Sequence, residues 1–210
     1  MNSSPHVAIV TGANHGIGAA TAERLAAAGT SVLITYLRGR VTADPETPER
    51  YQENRMTDGE QVAVRIRRRG GRALAVEADL LDDTTPAMMF DLAERELGPV
   101  DVLVNNATGW AAGDSFVAGS PDAAGRTSAA VTGELFDRTF GVDARAAALM
   151  IAEFSRRLIE RGGTWGRIVG LTSGGPNAKI GVITTGKAYL DVRQALDELG
   201  IDELRCNQLG

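Results

Sequence analysis

Short apolar runs alternate with amphipathic segments over most of the chain. The runs contain few polar residues and end at glycine or polar residues, which predicts buried strands. Strands that alternate with helices in this way are typical of a parallel sheet covered on both faces. The pattern therefore predicts a doubly wound α/β domain. We expect its five strands at His6–Thr11, Ser31–Tyr36, Arg72–Glu77, Val100–Asn105 and Gly166–Thr172.

The segments between these strands repeat apolar residues at three- and four-residue intervals, which predicts helices. The first helix follows a glycine turn and ends at Gly29. Three more helices are expected at 58–69, 84–97 and 134–161. The buried face of the 84–97 helix is expected at Met89, Ala93 and Leu97. That of the first helix is expected at Ile17, Ala20, Leu25 and Ala28.

Two polar segments interrupt this pattern. Residues 38–57 include Pro45 and Pro48, and we expect a surface loop with a short helical turn. Arginines 65, 67, 68 and 69 fall in the last turn of the next helix. Cations there complement the helix dipole on a solvated face, and an anion site is the alternative.

Composition narrows the function classes. The 210 residues suit one domain, and 43% hydrophobic residues with a net charge of −5 indicate a globular chain. An acidic chain is not expected to bind nucleic acid nonspecifically. No apolar run approaches the ~18 residues of a membrane span, and we expect no signal peptide and a cytoplasmic location. The single cysteine, Cys206, excludes an internal disulfide and a cysteine-held cluster, and we expect no metal.

The turn after the first strand carries the clearest chemical signal. Glycines 12, 16 and 18 allow a tight turn, close approach of a pyrophosphate and close helix packing. The helix N-terminus offers unpaired N–H groups to an anion. A merely tight turn is the alternative, but strand, spacing and helix together favour a dinucleotide site. Its residues are Gly12, Asn14, His15, Gly16, Ile17 and Gly18.

These residues resemble the short-chain dehydrogenase/reductase family, whose nucleotide turn reads TGxxxGxG. The resemblance continues to about residue 176. Asp79 and Leu80 resemble the family's adenine-contacting position. Asn106 and Ala107 resemble its NNAG motif, with Thr108 replacing the glycine. The resemblance implies a Rossmann-like domain over residues 1–176 that ends before the family's substrate loop and final strand.

The resemblance also implies the reaction and its partners. The family reduces a small-molecule carbonyl, here a 3-oxoacyl group or small ketone, to an alcohol with a nicotinamide cofactor. It uses the long alanine-rich helix for contacts between subunits, so we expect a homodimer or homotetramer.

The end of the second strand indicates the cofactor. An acid there would bind the ribose 2′-hydroxyl of NAD, whereas an arginine would accept the 2′-phosphate of NADP. The strand ends at Tyr36, and Arg38 follows with no acid between them. His15 occupies a position that is often basic in NADP-using relatives. NADP is therefore favoured over NAD, with an ordinary surface arginine as the alternative for Arg38.

The catalytic set implied by the resemblance is incomplete. The family uses a serine, a tyrosine that donates a proton, a lysine four residues later and an asparagine on the long helix. Ser173 matches the serine, Asp143 fills the asparagine position, and Lys187 is the candidate lysine. Ile183 stands where the tyrosine is expected. We therefore expect weakened or lost reduction. A non-catalytic dinucleotide-binding protein and a hybrid chain are the alternatives.

Two of these candidates have a second interpretation. Asp143 is equally well explained as a supporting residue, and Lys187 as a solvent-facing one. Tyr189 cannot replace the missing tyrosine, because residues two apart on a helix point about 160° apart around the helix axis.

The last segment, 177–210, reads as a separate strand and helix. It resembles part of the indolepyruvate:ferredoxin oxidoreductase family in the stretch KIGVITTGKAYLDVRQALDELGID. One cysteine cannot hold an iron–sulfur cluster, so that family's chemistry is not implied. We expect a foreign tail that packs on the same domain and covers the sheet edge poorly, with low stability and fast amide exchange.

Overall fold

The computed structural model describes residues 6–38, 53–109, 117, 119 and 130–171. These residues contain a five-stranded parallel sheet in the order β3-β2-β1-β4-β5. The predicted doubly wound α/β architecture is therefore confirmed. The strands are β1 (Val7–Val10), β2 (Ser31–Tyr36), β3 (Ala73–Glu77), β4 (Val102–Asn105) and β5 (Arg167–Gly170).

Helices connect and cover these strands. The predicted helix 134–161 is divided, because a π-helical segment at Gly141–Ala146 separates two α-helices. Residues 53–55 are helical, whereas 39–52 lie outside the described residues. No helix of the described ranges is long and apolar enough to cross a membrane. The helices are α1 (Gly16–Ala27), α2 (Glu60–Arg68), α3 (Thr85–Glu96), α4 (Gly133–Phe140) and α5 (Ala147–Glu160).

The sheet separates two apolar cores, because successive strand residues point to opposite faces. Val32 and Ile34 belong to the core beneath α1 and α2, whereas Leu33 belongs to the core beneath α3 and α5. Met89 and Ala93 of α3 are fully buried in the second core, with Leu97 packed against it, as the sequence predicted. Both faces of the sheet are thereby covered.

The predicted buried face of α1 is wrong. Ile17 is 67% exposed, Ala20 and Ala28 are exposed, and only Leu25 packs against the core. The buried residues are Gly18, Ala19, Ala22 and Ala26. The cause is Gly18, where an added Cβ would lie 2.5 Å from both Asn106 Nδ2 and the Gly12 carbonyl oxygen. This contact fixes the rotation of α1 about its axis.

The arginine run at the end of α2 forms ion pairs with acidic side chains. Arg65 and Arg69 bind the two carboxylate oxygens of Glu23 on α1, at 2.9 and 3.0 Å. Arg67 pairs with Glu60 and donates to the Ala73 carbonyl. These pairs favour the solvated helix face over an anion site.

Candidate cofactor site

The glycine turn and the loop after β4 form one hydrogen-bonded unit. The Thr11 hydroxyl oxygen accepts from the N–H groups of Asn106 and Ala107, both at 3.0 Å. The Asn106 side-chain amide donates to the carbonyls of Thr11 and Gly12, both at 2.9 Å. These bonds are possible because β1 and β4 are neighbours, so their carboxyl ends meet at one edge of the sheet. The predicted residues Asn106 and Ala107 therefore brace the turn.

Two glycines of the turn are required for different reasons. Gly12 has φ +63°, and an added Cβ would lie 2.8 Å from Ala107 Cα, too close for any side chain. Gly16 has φ +56°, but no atom lies within 4 Å of an added Cβ. Gly12 therefore permits close packing of two loops, whereas Gly16 supplies a left-handed backbone beside open space.

The N-terminus of α1 faces the open space beside Gly16. His15 occupies the N-cap in an extended conformation and makes no side-chain capping bond, and the first turn contains no acid. The first N–H groups of a helix have no partner within the helix and attract anions. Burial, with a smaller effect of Arg55, lowers the pKa of His15 below its ordinary value. The unpaired N–H groups at the positive end of the helix are therefore the feature of this turn that attracts an anion.

Asn14 and Tyr36 hold the segment that follows the polar insertion. The buried Asn14 amide donates to the Thr57 carbonyl at 2.9 Å. The Tyr36 hydroxyl donates to Asp58 Oδ1 at 2.7 Å, and burial together with this carboxylate raises the tyrosine pKa to about 12. Gly59 packs on the Tyr36 ring, where an added Cβ would lie 2.4 Å from Cδ1. Both predicted cofactor residues therefore also fix residues 57–59 beside the site.

Arg38 forms a fork with Glu77 at the ends of β2 and β3. Its Nε and Nη2 atoms lie 3.0 and 2.5 Å from Glu77 Oε2, and its backbone N–H donates to Oε1 at 3.1 Å. The side-chain bond, and then the backbone bond, lower the pKa of Glu77 below its ordinary value. Sequence reasoning did not single out Glu77, because the two residues are 39 positions apart. Only the register that pairs Tyr36 with Glu77 brings the fork together.

Asp79 and Leu80 shape the loop after β3. The exposed Asp79 accepts from the Leu81 N–H at 2.9 Å, and its carbonyl accepts from the Thr85 hydroxyl at 2.5 Å. Leu80 is half-buried against the second core. The loop is thereby held at the same edge of the sheet as the glycine turn, next to the end of β2.

Asp143 anchors the far side of the loop after β4. Its two carboxylate oxygens accept from the Thr108 hydroxyl at 3.0 Å and from the Gly109 N–H at 2.8 Å. Asp143 lies within the π-helical segment, and π-helical turns occur frequently at functional sites. Gly141 begins the segment, and an added Cβ there would lie 2.5 Å from Leu81 Cδ2. Gly141 therefore brings the long helix close to the loop after β3, where the neighbouring atom is the end of the exposed Leu81 side chain.

Of the three predicted catalytic residues, only Asp143 lies within the described residues. Ser173 and Lys187 lie outside them, as do Ile183 and the whole tail 177–210. The described part of the candidate site is therefore the part that the sequence predicts to bind the dinucleotide. It joins the turn from 12 to 18, the ends of β2 and β3, and the loop after β4.

Comparison with known proteins assigns the family. Residues 6–186 match the short chain dehydrogenase family. Residues 170–210 match the indolepyruvate oxidoreductase domain, in agreement with the resemblance noted for the tail. The first match covers most of the chain and includes every element described above.

Individual relatives agree with this assignment. A short-chain type dehydrogenase/reductase of Picea abies is 31% identical over 97% of this chain and 66% of its own length. An NADPH-dependent aldehyde reductase-like protein, chloroplastic, of Arabidopsis thaliana is 35% identical over 80% of this chain and 55% of its own length. The chain thus spans between half and two thirds of the length of these curated relatives.

Solved structures show the same fold. A metagenomic short-chain oxidoreductase in complex with NADP superposes with a TM-score of 0.59 at 27% identity, covering 92% of this chain and 72% of the other. The parallel sheet, the glycine turn joined to the loop after β4 and the family match agree with one another. The chain belongs to the short-chain dehydrogenase/reductase family.

Proposed function

We propose that this protein binds NADP(H) at the carboxyl edge of its sheet as a short-chain oxidoreductase. The observation that carries this proposal is the glycine turn, which Asn106 and Thr11 lock against the loop after β4 beside the N-terminus of α1. That N-terminus has no side-chain cap and no acid in its first turn. A pyrophosphate is the ligand group that such a turn binds best.

The remaining parts of the cofactor are assigned to neighbouring loops. Asp79 and Leu80 would contact the adenine, and Asn106 and Ala107 would line the path toward the nicotinamide. NADP is favoured over NAD because Arg38 follows β2, and no acid stands between Tyr36 and Arg38. The Arabidopsis relative is described as NADPH-dependent and the metagenomic structure contains NADP, which supports the same choice.

The substrate proposed is a small carbonyl compound, a 3-oxoacyl group or a small ketone. When bound, the nicotinamide supplies a hydride to the carbonyl carbon. Ser173 would orient the carbonyl, and Lys187 would hold the nicotinamide ribose. Ile183 has no proton to give at the position where the family has its tyrosine. We therefore propose weak reduction, because a positioned proton donor contributes about 10²- to 10⁴-fold to the rate.

A non-catalytic dinucleotide-binding protein is the second candidate, and the isoleucine at 183 favours it. The shorter span relative to the curated relatives is compatible with either function. A cytoplasmic location and assembly as a homodimer or homotetramer stay predictions from the sequence.

A turnover assay separates the two candidates. NADPH oxidation would be followed with a small aldehyde, a small ketone and a 3-oxoacyl thioester, with Gly12→Val as the matched control. Valine at 12 would clash with Ala107 and close the turn. The proposal expects slow turnover in the unmodified protein and none in the variant. A rate typical of the family would contradict the proposed loss of the proton donor, whereas binding without any turnover would favour the second candidate.

A further inference from the structure

We propose that Glu77 determines how strongly this site prefers a 2′-phosphorylated cofactor, because its carboxylate competes with that phosphate for Arg38. The inference rests on the proposed binding of NADP(H) and deepens it. Arg38 is the side chain at the end of β2 that would accept the 2′-phosphate of NADP(H). The structure gives it a carboxylate partner at the same place.

The geometry makes the competition direct. Glu77 Oε2 accepts from both Nε and Nη2 of Arg38, at 3.0 and 2.5 Å. These are the donors with which a guanidinium fork binds phosphate. The second oxygen, Oε1, accepts from the Arg38 backbone N–H at 3.1 Å, so the carboxylate holds the start of the loop after β2 as well as the side chain.

The pair lies where the cofactor's adenosine ribose is expected. Tyr36 and Glu77 are cross-strand partners at the carboxyl ends of β2 and β3. The Arg38 and Glu77 side chains are 45% and 34% exposed, so a ligand in solution has access to both. Tyr36 is bonded to Asp58 and does not compete for the guanidinium.

The Glu77 carboxylate affects the binding of NADPH and of NADH differently. A 2′-phosphate must displace the carboxylate from the fork or share Arg38 with it, and the two anions repel each other. The 2′-hydroxyl of NADH carries no charge and can donate a hydrogen bond to a carboxylate. Glu77 therefore weakens NADPH binding while leaving NADH binding unchanged or stronger.

Glu77→Gln tests this inference. The substitution keeps the size of the side chain and removes the charge, so NADPH should bind about two- to fivefold more tightly, as expected for one exposed charge pair. NADH should bind equally or more weakly. Calorimetric titrations would use NADPH, NADH and adenosine 2′,5′-bisphosphate, with 5′-AMP as the probe that lacks the 2′-phosphate.

Glu96→Gln is the matched control. Glu96 is also exposed and paired with an arginine, Arg95, but it ends α3 near the amino end of β3. The Glu96→Gln substitution removes the same charge from the protein without changing the contact between Arg38 and Glu77. The control should leave the affinities for all four ligands unchanged.

The outcomes separate this inference from the function on which it rests. An unchanged ratio of NADPH to NADH affinity in Glu77→Gln would overturn the inference alone, as would an equal gain in Glu96→Gln. Failure of the unmodified protein to bind either dinucleotide would overturn the proposed function and the inference with it. Should Glu77→Gln fold poorly by circular dichroism, Glu77→Ala removes the same charge and must give the same change in the ratio.

Discussion

Gly16 and Gly162 provide a matched pair for testing the turn. Their φ angles are +56° and +67°, and an added Cβ meets no atom within 4 Å at either position. Alanine at either site should therefore cost a similar ~1 kcal/mol of folding free energy from left-handed backbone strain. Only Gly16 begins α1 beside the proposed pyrophosphate site. We expect Gly16→Ala to weaken NADPH binding about tenfold and Gly162→Ala to leave it unchanged.

Thermal unfolding and fluorescence titration check both halves of this prediction. Similar melting temperatures of the two variants would show that alanine causes comparable backbone strain at positions 16 and 162. Similar NADPH affinities in the two variants would then argue against a cofactor at the α1 N-terminus.

Asp143 is the second residue whose role can be measured directly. Both of its oxygens accept hydrogen bonds from the loop after β4, one from Thr108 and one from Gly109. Asparagine can keep the bond from the Gly109 N–H, whereas alanine loses both. We expect Asp143→Ala to lower the free energy of unfolding by about 1–2 kcal/mol and Asp143→Asn to lower it by less than about 0.5 kcal/mol.

Turnover in Asp143→Asn tests whether Asp143 only positions the loop after β4 or supplies the proton that Ile183 cannot give. A positioning role predicts that the residual reduction rate survives in Asp143→Asn and falls in Asp143→Ala. Complete loss of turnover in Asp143→Asn, with unchanged stability, would instead identify Asp143 as the proton donor.

At the scale of elements, an arginine on α5 joins that helix to α3. Arg157 is 14% exposed and binds Asp91 and Glu94 of α3 at 2.6 and 2.7 Å, and Glu153 of its own helix at 2.7 Å. Its guanidinium also lies 5.7 Å from the centre of the Phe90 ring. Removing the arginine leaves the largely shielded carboxylates of Glu94 and Glu153 and the exposed carboxylate of Asp91 facing one another. We expect Arg157→Met to lower the free energy of unfolding by about 2 kcal/mol or more.

Arg156 supplies the control on the same helix. It is 49% exposed, and its partners Glu153 and Glu160 lie on α5 itself. Arg156→Met should therefore change stability by no more than about 0.5 kcal/mol in urea unfolding. Equal losses in the two variants would contradict the assignment of the α3–α5 contact to Arg157.

At the scale of the whole molecule, the sequence predicts the sheet well. Strands buried on both faces are continuous apolar runs, so their positions are visible locally. The rotation of α1 about its axis is not visible locally. It depends on a contact between Gly18 and Asn106, which are far apart in sequence. Helix periodicity alone placed the exposed Ile17 in the core.

Only the local part of the candidate site could be predicted from the sequence, because several of its contacts join residues that are far apart in the chain. The glycine turn is a local motif, and the sequence placed it between β1 and α1. The pairs Arg38–Glu77 and Asn14–Thr57 join residues 39 and 43 positions apart, and no local pattern reveals them. The polar insertion also separates Tyr36 from the segment at Asp58 to which it bonds.

We propose that the carboxyl edge of this sheet binds NADP(H) through Arg38. The most direct measurement is calorimetric titration of NADPH and NADH into the unmodified protein, into Arg38→Gln and into the control Arg95→Gln, an exposed arginine at the end of α3. Charge-assisted pairing with the 2′-phosphate predicts tighter NADPH binding in the unmodified protein and in the control, and loss of that difference in Arg38→Gln. Equal affinities for the two cofactors in the unmodified protein, or tighter binding of NADH, would contradict this role of Arg38.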